Sequence, residues 1–206
     1  INGENTLGGQ LSDGALFLYA TGREYENIAP LWKNWRLIPG VTSYLDLPPV
    51  ARPFSNGPGS NEVNEMTATE NRVDFTLQRD GLTVRKSWQF SPSGVACKGT
   101  VAATNAASRV VTCVEHALAA ENARICGYDP ELGCLHVENG CFVYEIFAPE
   151  KAIHATIEDR MGDWEGISPS SVGKTVSGRV LLIYIDHGIQ PERATYDYTV
   201  SFRMRK

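Results

Sequence analysis

Apolar residues recur at every second position over most of this chain, and that period constrains the fold more than any other feature. In "RVDFTLQ" (72–78), Val73, Phe75 and Leu77 alternate with polar residues, the pattern of a strand with one face buried. "LTVRKSWQF" (82–90) follows after Arg79-Asp80-Gly81. An Asp-Gly step tolerates the positive φ angles of a two-residue turn, so 72–90 is predicted to be a hairpin. A second tight hairpin is expected at Glu138-Asn139-Gly140, inside "LHVENGCFVYEI". "GVACKGTVAAT", "RVVTCVEHALAA", "KAIHATIED", "SGRVLLIYIDHG" and "ATYDYTVSF" continue the pattern. Short strands broken by turn clusters every ten or so residues predict an antiparallel all-β sandwich or barrel.

Helix is scarce. Only "EYENIAPLWKNW" (24–35) has a short helical register, and Pro30 interrupts it. The stretch 38–64 holds five of the eleven prolines (Pro39, Pro48, Pro49, Pro53, Pro58) together with Gly57 and Gly59. Missing backbone donors and turn residues predict a long segment wrapped over the sandwich with little regular structure.

The 206 residues fit a single domain, 1–206, large enough to bury a core without cross-links. Nineteen basic against 24 acidic residues leave a net charge of −5, which argues against a nucleic-acid partner. No apolar run approaches the ~18 residues of a membrane helix, so no membrane is expected as a partner. Five cysteines (Cys97, Cys113, Cys126, Cys134, Cys141) leave at least one free thiol. Most lie in apolar runs, where a thiol packs as a small hydrophobe; a disulfide in the Cys126–Cys141 region is the alternative. None is spaced as C-x-x-C, so a zinc site is not expected.

Motifs of nucleophilic or phosphate chemistry are absent: no G-x-S-x-G, no H-E-x-x-H, no Walker loop. "GGQLSDG" (8–14) lacks the lysine of a phosphate loop and precedes what reads as a strand. Asp186 and His187 are neighbours on a predicted strand, so they point to opposite faces and make no dyad. Trp32 and Trp35, in "PLWKNWRLIPG" beside Lys33, Asn34 and Arg36, could present ring faces to a sugar and cations to its acidic groups. Alternatively, both rings close one end of the core. Trp88 and Trp164 read as structural.

"INGEN" and "LSDGALFLY", then "LWKNWRLIPGVTS", "VRKSWQF", "GDWEGIS", "VLLIYIDHG" and "ATYDYTV" together resemble the central sandwich of polysaccharide lyase family eight, which holds the chondroitin AC, hyaluronan and xanthan lyases. The likeness keeps its order over nearly the whole chain. Trp35 to Thr42 and Ile185 to Tyr198 carry most of it. Val41 departs from the family's P-G-T-T, and an aromatic residue often found ahead of the D-G pair is absent around Gln10.

The resemblance implies a galactose-mutarotase-like β-supersandwich with very little helix. It implies that the sandwich follows an α/α-toroid domain carrying the catalytic Asn, His, Tyr and Arg, so that "INGEN" marks a junction and the chain is a fragment. It implies β-elimination on an acidic polysaccharide, with the upstream helical domain as partner and the sandwich shaping one side of the cleft. Glu4 and Asn5 match the family's cleft-edge pair, in a supporting catalytic role; Trp32, Trp35 and Arg36 are the substrate-binding candidates. No cofactor is expected, with Ca²⁺ left open as an alternative. Polymeric substrates imply secretion, to an extracellular or periplasmic location. A free-standing carbohydrate-binding module, or a structural domain, is the competing reading. The acidic net charge weighs against the module, because a self-sufficient binder of a polyanion should carry its own cationic groove.

Overall fold

The computed structural model describes residues 13–46, 63–167 and 173–203. Two antiparallel sheets face each other. The larger has eight strands in the order β2 (Val63–Ala68), β3 (Arg72–Arg79), β4 (Leu82–Ser91), β5 (Gly94–Ala103), β12 (Ala194–Phe202), β9 (Phe142–Phe147), β8 (Cys134–Asn139) and β7 (Arg124–Asp129). The smaller has four, ordered β1 (Thr42–Tyr44), β6 (Arg109–Leu118), β11 (Thr175–Ile189) and β10 (Ile153–Asp163). The architecture is the all-β sandwich that the period-two pattern predicts.

Alternation sets which side chains meet. On β3 and β4, Phe75, Leu77, Val84 and Trp88 turn inward; on β11, Leu181, Ile183 and Ile185 do the same from the opposite sheet, and these residues share one core. At the first hairpin Asp80 (φ 51°) and Gly81 (φ 77°) both adopt the left-handed conformation, as a two-residue turn matched to strand twist requires. The second hairpin also forms, but Asn139 pairs with Phe142 and the turn is Gly140-Cys141, one residue later than expected. Asn139 is held in the strand by its side chain, which accepts from Ala120 N (2.7 Å) and donates to Leu118 O (3.0 Å).

Three expectations need correction. First, helix in 24–35 shrinks to a 3-10 turn at Ala29–Leu31, and Pro30 lies inside it, at its start. A fixed φ and a missing N–H suit a first helical turn, so this proline opens the turn instead of breaking it. Second, the proline-rich stretch is not all surface wrapping. Residues 38–44 are buried and include β1, which pairs with β6. Positive φ at Gly40 turns the chain so that Gly40 N donates to Cys113 O and Cys113 N to Val41 O, both at 2.9 Å. The remainder of that stretch, 47–62, lies outside the described residues. Third, the apolar segment after Gly14 is not a strand; its Leu16 amide bonds the carbonyl of Pro39, a loop partner and not a sheet edge. All five cysteines are free thiols, with Cys97, Cys113 and Cys134 buried, Cys141 half-buried and Cys126 exposed.

Residues 13–46 thus form an arm laid over the small sheet. Most of it packs on the outward residues of β6, β11 and β10, in apolar clusters separate from the main core, while Leu16, Leu18 and Tyr44 join that core. Because β6 lacks a full neighbour on one edge, the arm supplies it: β1 pairs with one end, and Leu118 N bonds Glu24 O (2.8 Å) at the other. This arm carries the tryptophans.

Candidate functional site

Four anchors hold the arm, three of them polar. Lys86, on β4, points inward and is buried. Its Nζ donates to the carbonyls of Gly14 (3.2 Å) and Gly40 and lies 5.3 Å from the Phe75 ring centre and 5.2 Å from that of Trp88. Carbonyl dipoles and ring faces partly replace lost water; burial still lowers its pKa to about 8. A Cβ on Gly14 would meet Lys86 Cε at 2.7 Å, so only glycine lets the ammonium approach.

Glu115, on β6, is also buried. Tyr25 Oη of the arm and Tyr144 Oη of β9 each donate to its carboxyl at 2.9 Å, as does the amide of His116. Three donors favour the carboxylate, but burial outweighs them and raises the pKa to about 7. The Tyr25 hydroxyl also accepts from Leu18 N (3.3 Å), and its ring meets Phe17 and Tyr19 edge-on. One carboxyl therefore ties the arm's first segment to both sheets.

His116 is the third anchor. Its Nε2 lies 2.8 Å from Arg160 Nη1, and its Nδ1 2.9 Å from Leu37 O. Guanidinium can only donate, so Nε2 accepts and Nδ1 carries the proton toward Leu37. Burial lowers the pKa to about 3, which keeps the ring neutral. Trp32 stacks on this imidazole (5.4 Å, 28°) and donates from Nε1 to His116 O at 3.0 Å.

The fourth anchor is a close approach. Gly162, on β10, lies under the 3-10 turn, where a Cβ would come within 1.8 Å of Pro30 O.

Beside the arm, on the outer face of β10 and β11, lies a pocket of about 260 Å³. Alternation on β10 sends His154, Thr156, Glu158 and Arg160 to this face. His154 lies opposite Tyr184 in register, and the two rings stack at 4.5 Å and 7°. Lys33 and Asn34 of the arm close the rim; Leu37 and Leu182 supply apolar wall. Glu158 is shared between Arg160 Nε (3.3 Å) and Lys33 Nζ (3.5 Å). Burial and the nearby Asp186 raise the Tyr184 pKa. Among the described residues no group of three side chains could hold a metal ion.

A family model described as polysaccharide lyase family 8, super-sandwich domain, matches residues 1–205. The chain belongs to polysaccharide lyase family 8. Within that family it is 31% identical to chondroitinase-AC of Pedobacter heparinus, over 97% of this chain and 30% of the relative. Solved relatives include a chondroitinase AC lyase, determined with oligosaccharide complexes (TM-score 0.78, 26% identity, all of this chain and 32% of that one). The chondroitin AC lyase of Streptomyces coelicolor A3, in complex with chondroitin sulphate, superposes with a TM-score of 0.71 at 25% identity, over all of this chain and 28% of its own. A Paenibacillus xanthan lyase shares the fold (TM-score 0.70, 20% identity, all of this chain and 22% of that one). The chain spans between 22% and 32% of the length of these relatives.

Of the residues singled out from sequence, Glu4 and Asn5 lie outside the described residues. Trp32 is buried, one face on His116 and one edge against Trp35 (5.2 Å, 77°). A ring so enclosed offers little face to a sugar; it supports its neighbour. Trp35 and Arg36 are half-buried. The Arg36 backbone is fixed at both groups: its N–H donates to Asn34 Oδ1 (2.9 Å) and its carbonyl accepts from Ser43 Oγ (2.8 Å). His187 bonds Thr112 Oγ1 (2.8 Å) while Asp186 pairs with Arg109 (2.7 Å), two separate networks as strand geometry requires.

Glu115, His116 and the row on β10 were not singled out. A signal existed for the first two, as a Glu-His pair interrupts the apolar run "VVTCVEHALAA". A buried charge needs partners, and these come from the arm.

Proposed function

We propose that this sandwich is the non-helical part of a lyase that cleaves an acidic polysaccharide of the chondroitin type by β-elimination, and that it shapes one wall of the substrate cleft. The observation that carries this reading is the 31% identity to a chondroitinase across 97% of the chain. In such a reaction a neutralised uronate carboxylate acidifies the C5 proton, a base removes it, and the glycosidic oxygen leaves with a proton. Stabilising the charge that develops on the carboxylate is the largest demand. A helical domain would supply the base and most of the neutralising charge. The sandwich would contribute Glu4 and Asn5 at the cleft edge, with Trp35 and Arg36 presented by the anchored arm and Trp32 behind them. A polymeric substrate too large to enter a cell fits an exported enzyme.

Chemistry that needs a base, a neutralising group and a proton donor within reach of one sugar fails when half the cleft is missing; orientation alone accounts for roughly 7–11 kcal/mol of such barriers. Residues 1–206 by themselves are therefore expected to give no unsaturated product from chondroitin, hyaluronan or xanthan. Joined to the helical domain they should. Ultraviolet absorbance of the new conjugated double bond reads both outcomes. Product from the 206 residues alone would sink the reading; tight chondroitin binding without product in the joined protein would favour the binding-module alternative.

A further inference from the structure

We propose that the 260 Å³ pocket between the arm and β10 is a second saccharide site, one that takes a single uronic-acid unit. The choice of an acidic sugar rests on the lyase reading; the geometry stands independently.

Four features of the pocket select that ligand. Its size is just below the range for drug-sized molecules, enough for one ring and not a chain. Its walls are mixed: the stacked His154–Tyr184 pair, Leu37 and Leu182 suit the apolar face of a pyranose, while Asn34, Thr156 and Lys33 suit hydroxyls and charge.

Its charge is net positive, because Arg160 and Lys33 share only Glu158. Arg160 is the built element. It is 7% exposed and held by Leu31 O (3.3 Å) and His116 Nε2 (2.8 Å) on Nη1 and by Glu158 on Nε. Among the described residues, no hydrogen bond engages its Nη2. A guanidinium fixed on one edge presents a planar donor to a carboxylate without further ordering.

The fourth feature is Thr156, whose hydroxyl is buried and without a partner among the described residues. Buried polar groups are normally satisfied, and since Thr156 lines the pocket, a turn about its χ1 would let a ligand oxygen satisfy this one.

Calorimetric titration of the intact protein with D-glucuronate, D-glucose and inorganic sulfate tests the assignment. Glucuronate should bind saturably, and glucose about tenfold or more weaker, the difference a charge-assisted contact supplies. Lys33→Ala and His154→Ala should each weaken glucuronate severalfold. Thr156→Val should weaken it too, while leaving the unfolding temperature unchanged or raised, because it removes an unpaired hydroxyl. No saturable glucuronate binding, binding indifferent to all three substitutions, or sulfate competing as tightly as glucuronate would each overturn the proposal. Product formation by the joined protein is scored separately, so loss of this site leaves the lyase reading standing.

Discussion

The two sheets of this sandwich solve the problem of their outer faces differently. On the large sheet, short polar side chains and local ion pairs meet water directly: Arg72 with Asp74 two residues away, Lys98 with Asp197 across β5 and β12, and Thr76 and Thr100 around a groove of about 630 Å³. Its strands are joined largely by tight hairpins. The small sheet's outer face is apolar over β6 and β11, and it is covered there by an arm whose contacts come from far along the chain: Trp32 to His116 spans 84 residues and Arg160 to Leu31 spans 129. One face is solvated by its own residues; the other depends on a distant segment. Where a surface is finished by remote chain, buried polar anchors appear, and so do the candidate sites.

That contrast can be broken most directly at Trp32. Replacing it with Ala should cost about 3–5 kcal/mol, as loss of a buried aromatic ring does, measured by denaturant unfolding. A loss below about 1 kcal/mol, the scale of an exposed side chain, would mean that the arm is held elsewhere. Gly162→Ala should come next, costing roughly 1–3 kcal/mol by overpacking, because the added Cβ meets Pro30 O at 1.8 Å. It should also lower substrate affinity in the joined protein, which Trp35 and Arg36 would transmit.

The Glu115 anchor makes a pH prediction. Its pKa rises from 4.5 to about 7 on burial. Its contribution is fully present below pH 4.5 and is lost as pH climbs through about 7, on the order of 3 kcal/mol. His187, lowered to about 4, and Lys86, lowered to about 8, act in the opposite sense, favouring the fold as pH rises. Comparing unfolding temperatures of the protein and its Glu115→Gln variant at pH 5 and 8 isolates the carboxyl. The variant should gain relative to the parent at the higher pH; an equal difference at both would refute the assignment.

On the large sheet the expected effects are smaller and local. Gly81→Ala forces a side chain into φ 77° and brings Cβ to 2.4 Å from Thr104 Oγ1, for about 1–2 kcal/mol. Lys98→Ala, which removes an exposed pair, should stay under about 1 kcal/mol by the same unfolding measurement.

What could be read from the sequence follows the same division. The alternation in 72–90 and the Asp80-Gly81 step contain the hairpin entirely, since every partner lies inside that one stretch. The arm does not announce itself in this way. Pro30 reads locally as a helix breaker and becomes a helix start because Gly162 makes room for it. Residues 38–44 read as loop from Pro39 and the prolines that follow them, yet an edge of β6 needed pairing, and no local rule reports that need. Trp35 and Arg36 could be nominated by type and spacing. His154 and Arg160 sat in an ordinary amphipathic strand, and nothing in "IHATIEDR" tells that Lys33 will arrive across from it.

The ammonium of Lys86 has a mechanical meaning beyond its charge. Gly14 and Gly40 are far apart along the chain, yet both carbonyls rest on the same nitrogen. A displacement at Gly14 is therefore delivered to Gly40, and from its amide to the carbonyl of Cys113 on β6, without passing through the twenty-five intervening residues. Residues 14–40 close into a loop at this nitrogen, with the other anchors lying inside the loop. The turn that leads into β1 is thus tied to Gly14 by a path much shorter than the chain that carries the two tryptophans.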